Sequence, residues 1–173
     1  IMSAGVGSRL EPLTKEIPKP LVPVANIPVM DILLRNLKHC GIKSVIANTY
    51  YLAEQIQERY TKNSIIDFNF VQENELSGTA GGVKKCQFFF DKNESFLVVS
   101  ADGLSKVDFT AIIEQHIKSN CVVTMVTKEV DKSEVNQYGV VVTDKNGMVT
   151  EFQEKPPLAE AKSNKINTGI YVF

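Results

Sequence analysis

The sequence predicts an α/β fold in which a mixed, mainly parallel sheet is covered by helices on both faces. Short apolar runs rich in β-branched residues alternate with longer segments whose apolar residues recur at helical spacing. That alternation is typical of parallel strands joined by helices. Near the C-terminus, the sequence DKNG at 144–147 separates two strand-like runs and indicates a hairpin, which adds an antiparallel pair.

The apolar pattern assigns the elements in chain order. Residues 21–28 form an extended link, and Pro28 suits the first turn of a helix that stops at Gly41. Further helices are predicted over Tyr51–Tyr60, Thr79–Phe90 and Phe109–Lys118. Strands are predicted over Ile42–Ala47, Ile66–Phe70, Phe96–Val99, Val122–Thr127, Tyr138–Thr143, Met148–Gln153 and Ile166–Phe173. No repeat or linker interrupts this pattern, so residues 1–173 are predicted to be a single domain.

Composition narrows the class of protein. A formal net charge of -1 with 43% hydrophobic residues indicates a soluble globular chain. No basic excess suggests a nucleic-acid partner, and no apolar run is long enough to span a membrane. Cys40, Cys86 and Cys121 are odd in number and widely spaced, so they form neither a disulfide framework nor a metal motif. This usage favours a cytoplasmic location.

The stretch with the strongest functional signal is residues 2–21, MSAGVGSRLEPLTKEIPKPL. Gly5 and Gly7 lack a Cβ, so the backbone N–H groups of this loop can approach a ligand closely. Arg9 and Lys19 place fixed positive charge beside those amides. Amides and cations in one loop suit a polyphosphate, whereas the alternative interpretation is a Gly/Pro-rich surface turn.

Two commoner glycine loops do not fit this stretch. A dinucleotide fingerprint needs a third glycine where Leu10 stands, and an acidic residue where Ala25 and Asn26 fall. The G-x-x-x-x-G-K-[ST] pattern of a P-loop is also absent. A nicotinamide-binding oxidoreductase domain therefore remains only as a less favoured alternative.

Polar residues follow several predicted strands, where ligands bind in open α/β sheets. They are the glycine loop, residues 72–78, Asp102 and Glu154-Lys155. Asp102 follows the apolar strand at 96–99 and suits Mg²⁺, which takes one or two carboxylates together with phosphate oxygens. A turn or helix-capping aspartate is the alternative at Asp102, and an exposed charged strand end is the alternative at Glu154-Lys155.

The string A-G-x-G-S-R-L-x-P-L-T followed by P-K-P-L resembles the signature of the sugar-1-phosphate nucleotidyltransferases, which make nucleotide sugars. The segment ENELSGTAGG at 73–82 is similar to the base-recognition segment of this family, in its guanylyl-transferring branch. Glu154-Lys155-Pro156 resembles the E-K-P motif of the family. The resemblance spans nearly the entire sequence and implies a Rossmann-like fold of the nucleotide-diphospho-sugar transferase type.

The resemblance also implies roles for individual residues. Arg9 and Lys19 would be catalytic, and Asp102 would be a magnesium ligand. The residues implied in nucleotide binding are Ala4, Gly5, Gly7, Ser8, Arg9, Gln72, Gly78 and Thr79. Those implied in binding the sugar phosphate are Gly139, Glu154, Lys155, Asn167 and Thr168.

The implied reaction joins a nucleoside triphosphate to a sugar 1-phosphate, with GTP and mannose 1-phosphate as the leading pair. The attacking phosphate is already ionised near neutral pH, so no general base is needed. The family has a second metal-binding aspartate, which we expect beyond Phe173, and most of a first strand before Ile1. We therefore expect a piece of a longer domain that binds nucleotide but catalyses poorly, with a homo-oligomer possible. A non-catalytic regulatory relative that binds nucleotide or nucleotide sugar is the main alternative.

Overall fold

The computed structural model describes residues 1–62, 65–91 and 94–173. Its helices are α1 (Val29–His39), α2 (Ala53–Lys62), α3 (Gly78–Lys85) and α4 (Phe109–Ser119). Its strands are β1 (Pro23–Val24), β2 (Ile27–Pro28), β3 (Ser44–Thr49), β4 (Asp67–Gln72), β5 (Leu97–Val99), β6 (Thr124–Glu129), β7 (Gly139–Thr143), β8 (Val149–Glu154) and β9 (Lys165–Val172).

The N-terminal half contains the parallel part of the fold. β3 and β4 pair in parallel, from Ser44 opposite Asp67 to Thr49 opposite Gln72. Met2 forms parallel bridges to both Asn48 and Ser100. Because Asn48 belongs to β3 and Ser100 directly follows β5, Met2 connects the β3–β4 pair to the strands of the C-terminal half.

The C-terminal half is organised around β9. This strand pairs antiparallel with β5, β6 and β7, and β7 pairs antiparallel with β8 through the predicted hairpin. The mixed sheet is confirmed. The expectation of a mainly parallel sheet needs correction in this half, because β9 returns between strands that share one direction and makes each of those pairings antiparallel.

The hydrophobic core joins both halves. α1 contributes Met30, Leu34 and Leu37, which are at most 2% exposed, and α2 contributes Ile56 and Tyr60. These side chains pack in one cluster with residues of β3, β5, α4 and β9. The buried faces of α1 and α2 follow the helical spacing of their apolar residues, whereas Ile117 of α4, which that spacing would place inward, is 66% exposed.

A buried carboxylate ties α1 to α2. Asp31 accepts hydrogen bonds from Arg59 Nε at 3.1 Å, from Arg59 Nη2 at 2.6 Å and from Tyr60 OH at 2.6 Å. Burial raises the pKa of Asp31, but these partners outweigh burial, and the net pKa lies below its ordinary value. Burial, followed by the Asp31 carboxylate, raises the pKa of Tyr60.

Several element boundaries differ from the predicted ones. α2 begins at Ala53 because Leu52 adopts a φ of 48°, which is incompatible with a right-handed helix. α3 ends at Lys85, and a 3₁₀ turn at Gln87–Phe89 replaces the rest of the predicted helix. β3 is displaced toward the C-terminus and includes Asn48 and Thr49, which brings two polar residues into a buried strand end.

The structure bears on two further features, membrane-spanning helices and the state of the cysteines. Among the described residues, none of the helices combines the length and apolar character needed to cross a membrane. Cys40, Cys86 and Cys121 carry free thiols, and Cys86 is buried. Cys86 therefore acts as a small core side chain.

Candidate functional site

A cavity of about 290 Å³ lies where the glycine loop meets the residues that follow β3, β4 and β5. This is the carboxyl edge of the parallel strands, where the fold class predicted a ligand site. The predicted site residues that line it come from three separate segments: Ala4, Gly5, Lys19, Gly78, Thr79 and Asp102. The structure therefore brings together residues that are nearly a hundred positions apart in the sequence.

The glycine loop folds back on itself in a way that requires Gly7. Its φ is 75°, and a Cβ at this position would lie 3.0 Å from Lys19 Cβ and 3.1 Å from Thr14 Cγ2. The Thr14 hydroxyl donates to the Gly7 carbonyl at 2.9 Å. At Gly5, by contrast, nothing lies within 4 Å of the Cβ position. Gly7 thus holds Lys19 against the loop, while Gly5 leaves the backbone open toward the cavity.

Lys19 and Asp102 form an ion pair at this cavity, with side chains that are 30% and 32% exposed. Burial raises the pKa of Asp102, but the Lys19 ammonium and the Ser100 hydroxyl outweigh it, so the net pKa lies below the ordinary value. Asp102 is therefore ionised at neutral pH. The pair places one cation and one acid where a polyphosphate with its metal ion would need both.

The remaining nucleotide-side residues are not part of the cavity lining. Arg9 lies in an exposed turn, Ser8–Leu10, and among the described residues it has no hydrogen-bond or ion-pair partner. Ser8 and Gly7 belong to the same stretch. Gln72 is exposed at the end of β4 and accepts a hydrogen bond from Gln57 Nε2 at 3.3 Å. Neither Arg9 nor Gln72 lines the cavity.

Sequence analysis did not assign roles to two buried polar residues of the site, Asn48 and Glu73. They are 2% and 3% exposed, and both line the cavity. Asn48 Nδ2 donates to Glu73 Oε1 at 2.6 Å, and Ser3 N donates to Asn48 Oδ1 at 2.8 Å. The available signal was their position, since Asn48 lies near the end of β3 and Glu73 directly follows β4.

The predicted sugar-side residues meet in the C-terminal sheet. Gly139 of β7 is paired with Glu154 of β8, and a Cβ at Gly139 would lie 3.3 Å from Glu154 Oε2 and 3.9 Å from Asn167 Cβ. Lys155 N donates to the Tyr138 carbonyl at 3.1 Å, and its Nζ is 3.6 Å from Glu154 Oε1. The Lys155 and Glu154 side chains are 53% and 78% exposed, so they face solvent rather than an enclosed pocket.

Asn167 and Thr168 use their polar atoms within the fold. The Thr168 hydroxyl donates to the Val126 carbonyl at 2.6 Å. Asn167 Nδ2 donates to Tyr171 OH at 2.6 Å, and its Oδ1 accepts from Gly169 N at 2.8 Å. These bonds fix the conformation of β9 where it passes the site, and each side chain retains capacity for a further hydrogen bond.

The sugar-side and nucleotide-side groups adjoin but do not share one cavity. Gly169 packs against Ser100, since a Cβ at Gly169 would lie 3.4 Å from Ser100 Cβ. Ser100 in turn lines the cavity with Lys19 and Asp102, whereas Lys155 does not line it. Of the two predicted cations, Lys19 lines the cavity and Lys155 lies outside it.

The donor set at Asp102 was tested for its fit to a metal ion. In the described part of the chain, no group of three or more His, Cys, Asp or Glu residues could hold a metal. Asp102 alone, with about a third of its side chain exposed, suits an ion that draws its other ligands from phosphate oxygens and water. Mg²⁺ behaves in this way, so the residues present fit it once a nucleotide is bound.

Comparison with known proteins identifies the family. The sequence model named nucleotidyl transferase matches residues 1–173. The chain belongs to this family. The resemblance that the glycine-loop signature indicated is thereby confirmed, and so is the α/β fold class predicted with it.

Individual nucleotidyl transferase relatives agree. The chain is 39% identical over 189 residues to a UTP–glucose-1-phosphate uridylyltransferase of Synechocystis sp., and the match covers 100% of this chain and 48% of that protein. It is 36% identical over 177 residues to the mannose-1-phosphate guanylyltransferase catalytic subunit beta of Drosophila melanogaster, covering 100% and 47%. The chain therefore spans about half the length of the curated relatives it matches.

A solved structure gives the same result for the fold. The crystal structure of HddC from Yersinia pseudotuberculosis complexed with GMP-PN matches with a TM-score of 0.79 and 26% identity. The match covers 99% of this chain and 74% of that one. The fold described above is thus similar to that of this solved structure over nearly the whole chain.

Proposed function

We propose that the protein transfers a nucleotidyl group from a nucleoside triphosphate to a sugar 1-phosphate. The observation that carries this proposal is the Lys19–Asp102 pair, which faces a cavity walled by the backbone of Ala4, Gly5, Gly78 and Thr79. Open main-chain amides beside a cation suit a triphosphate, and the adjacent carboxylate suits the metal ion that accompanies one.

In the proposed reaction, a phosphate oxygen of the sugar 1-phosphate forms a bond to the α-phosphorus of the nucleotide. The bond from that phosphorus to the bridging oxygen breaks, and pyrophosphate leaves with the electron pair. The nucleophile is already ionised, so the residues need only align two anions and neutralise their charge. Lys19 would act at the α-phosphate, Arg9 at the triphosphate tail, and Lys155 on the attacking phosphate.

Magnesium would be held by Asp102 together with phosphate oxygens. When bound, it supplies positive charge that neutralises the phosphates. Lys19 contacts Asp102, so its ammonium lies beside the carboxylate that would hold the metal.

The choice of base and sugar is the finer part of the proposal. The G-T-A-G segment at 78–81 leads us to propose GTP with mannose 1-phosphate, and one relative named above is a mannose-1-phosphate guanylyltransferase. A second relative is named for UTP and glucose 1-phosphate, and it supports that pair equally. The two pairs must therefore be compared directly.

The test is a substrate panel on the purified protein. GTP, UTP, dTTP, ATP and CTP are each incubated with Mg²⁺ and either mannose 1-phosphate or glucose 1-phosphate, and the nucleotide sugar and pyrophosphate are measured by chromatography. We expect equal amounts of both products from one favoured pair. Thermal-shift measurements with the same nucleotides and with NADH accompany the panel.

The panel also decides between the alternatives. Stabilisation by a nucleotide without product from any pair would favour the regulatory relative over a transferase. Stabilisation by NADH alone would contradict the proposal and favour an oxidoreductase.

A further inference from the structure

One buried carboxylate at the site has no part in the proposed reaction. Glu73 directly follows β4, its side chain is 1% exposed, and it lines the cavity. A buried charge is costly unless it is paired and hydrogen-bonded. Its hydrogen-bond partners belong to two walls of the cavity: the glycine-loop wall, which begins at Ser3, and the base-side wall, which is formed by residues 76–79.

The Oε1 atom of Glu73 faces the glycine loop. It accepts from Asn48 Nδ2 at 2.6 Å, and Asn48 Oδ1 accepts from the backbone N–H of Ser3 at 2.8 Å. The Ser3 hydroxyl donates to the Asn48 carbonyl at 2.5 Å. Because Ala4 and Gly5 follow Ser3, this chain of bonds fixes the start of the loop whose amides face the cavity.

The Oε2 atom faces the opposite wall. It accepts from Ser77 N at 3.2 Å and from Lys85 Nζ at 3.0 Å, and the Ser77 hydroxyl donates to it as well. Ser77 immediately precedes Gly78 and Thr79, the part of this wall predicted to contact the base. The same carboxylate therefore holds both walls.

The packing around this carboxylate leaves little freedom. A Cβ at Gly82 would lie 2.5 Å from Asn48 Nδ2, 2.6 Å from Met2 Cε and 3.2 Å from Glu73 Oε1. A Cβ at Gly81 would lie 2.6 Å from Ser77 Cβ. The first turns of α3 thus pack directly against the hydrogen-bonded side chains around Glu73. Because no space is left between them, we expect a change at Glu73 to shift residues 76–79.

The charge of Glu73 is maintained despite burial. Burial raises its pKa, but Ser77, Asn48 and Lys85 outweigh burial, and the net pKa lies below the ordinary value. Hydrogen bonds to an ionised acceptor are about twice as strong as those between neutral groups. Each of the three partners thus donates to a full negative charge.

We propose that Glu73 is a positioning residue that holds the glycine loop and residues 76–79 at a fixed separation, and thereby sets nucleotide affinity and base discrimination. The inference rests on the proposed function, since it assumes that a nucleotide occupies this cavity. Glu73 itself need not touch the phosphates.

The test compares Glu73→Gln with Glu54→Gln. Glutamine keeps the shape of Glu73 but has only one acceptor oxygen, so it cannot accept from both walls as the carboxylate does. Glu54 is exposed on α2 and, among the described residues, its side chain has no bonded partner, so Glu54→Gln is the matched control. We expect Glu73→Gln to raise the Kd and KM for the nucleotide about tenfold or more, the scale of one charge-assisted hydrogen bond.

Two readouts separate positioning from a merely structural role. We expect the KM for the sugar 1-phosphate to stay within about twofold, because its predicted binding residues lie in β7, β8 and β9. We also expect the ratio of kcat/KM between the favoured and the other nucleotides to fall. An equal loss for both substrates, with unchanged base discrimination, would overturn the proposal.

A second variant covers the case in which Glu73→Gln does not fold. Ser77→Ala removes a single donor on the base side and leaves the Asn48 side intact, so it should reproduce the loss of discrimination with a smaller loss of affinity. Nucleotide binding by calorimetry comes first. If the unmodified protein binds no nucleotide, the proposed function fails. If it binds, and Ser77→Ala behaves like Glu54→Gln, the positioning role alone is refuted.

Discussion

The nucleotide side and the sugar side of the site hold their residues in different ways. In the N-terminal half, Ser3, Asn48 and Glu73 join three segments through buried side chains. In the C-terminal sheet, Gly139 and Glu154 are neighbours through strand register, and the Glu154 side chain is 78% exposed. The first arrangement depends on buried side chains, whereas the second fixes the backbone by strand pairing and leaves the Glu154 side chain in solvent.

This comparison predicts the largest effect at Lys19. Lys19→Ala removes the cation that faces both Asp102 and the proposed α-phosphate, and loss of one transition-state donor costs about 10²–10³ in rate. Lys15→Ala is the matched control, because Lys15 lies in the same stretch with a 68% exposed side chain. Initial rates of pyrophosphate release measure both. Equal rates in the two variants would show that Lys19 has no special role.

Glycine substitutions test the difference in packing. Gly82→Ala places a methyl group against Asn48 and Met2, and overpacking of this kind costs about 1–3 kcal/mol of unfolding free energy. Gly139→Ala meets the end of the flexible Glu154 side chain at 3.3 Å and Asn167 Cβ at an ordinary contact distance of 3.9 Å, so we expect a loss below about 1 kcal/mol. Urea unfolding measures both variants. A larger loss of unfolding free energy for Gly139→Ala than for Gly82→Ala would contradict the view that the N-terminal half is the more tightly packed one.

Acid should act first on the N-terminal half, which contains the buried carboxylate Asp31. Its pKa is lowered in the folded state, because Arg59 and Tyr60 outweigh the opposing effect of burial. Its stabilisation is therefore present above the unfolded-state pKa and is lost as pH falls through the lower folded value. At pH 7 we expect Asp31→Asn to lose about 1–2 kcal/mol.

Urea unfolding between pH 7 and pH 3 checks this prediction. The difference between Asp31→Asn and the unmodified protein should shrink as pH falls. Glu160→Gln, at an exposed carboxylate in the C-terminal half, should follow the unmodified protein at each pH. A difference for Asp31→Asn that stays constant down to pH 3 would contradict the assigned pKa direction.

The smallest effect is expected at Lys155. Its Nζ lies 3.6 Å from Glu154 and is half exposed, so Lys155→Ala should raise the KM for the sugar 1-phosphate about tenfold and leave the nucleotide KM unchanged. Lys145→Ala, in the exposed hairpin turn, is the control. A rise in the KM for the nucleotide instead would contradict the assignment of Lys155 to the sugar 1-phosphate.

Local signals account for what the sequence predicted well. The glycine loop and the acid after an apolar strand each depend on a few adjacent residues, and Lys19 and Asp102 do meet at the cavity. The hairpin at 144–147 is likewise confirmed, with Gly147 at a φ of 82° and its N–H bonded to the Asp144 carbonyl. Turn chemistry of this kind is encoded within four residues.

Long-range pairing accounts for what the sequence could not predict. The contact between Asn48 and Glu73 spans 25 positions and depends on the parallel register of β3 and β4. The antiparallel pairing of β9 depends on the positions of β5, β6 and β7, which no local sequence pattern predicts. Arg9, predicted as catalytic, lies in an exposed turn, and its role remains a prediction until a ligand is bound.

The position of β9 restricts where the chain can change length. β5, β6 and β7 all pair with it, and its side chains alternate between the two faces of the sheet. One residue inserted within β9 would turn Asn167 to the opposite face and pull Gly169 away from Ser100. The exposed residues 157–159 lie before β9 and pair with no strand, so tags or grafted loops belong there.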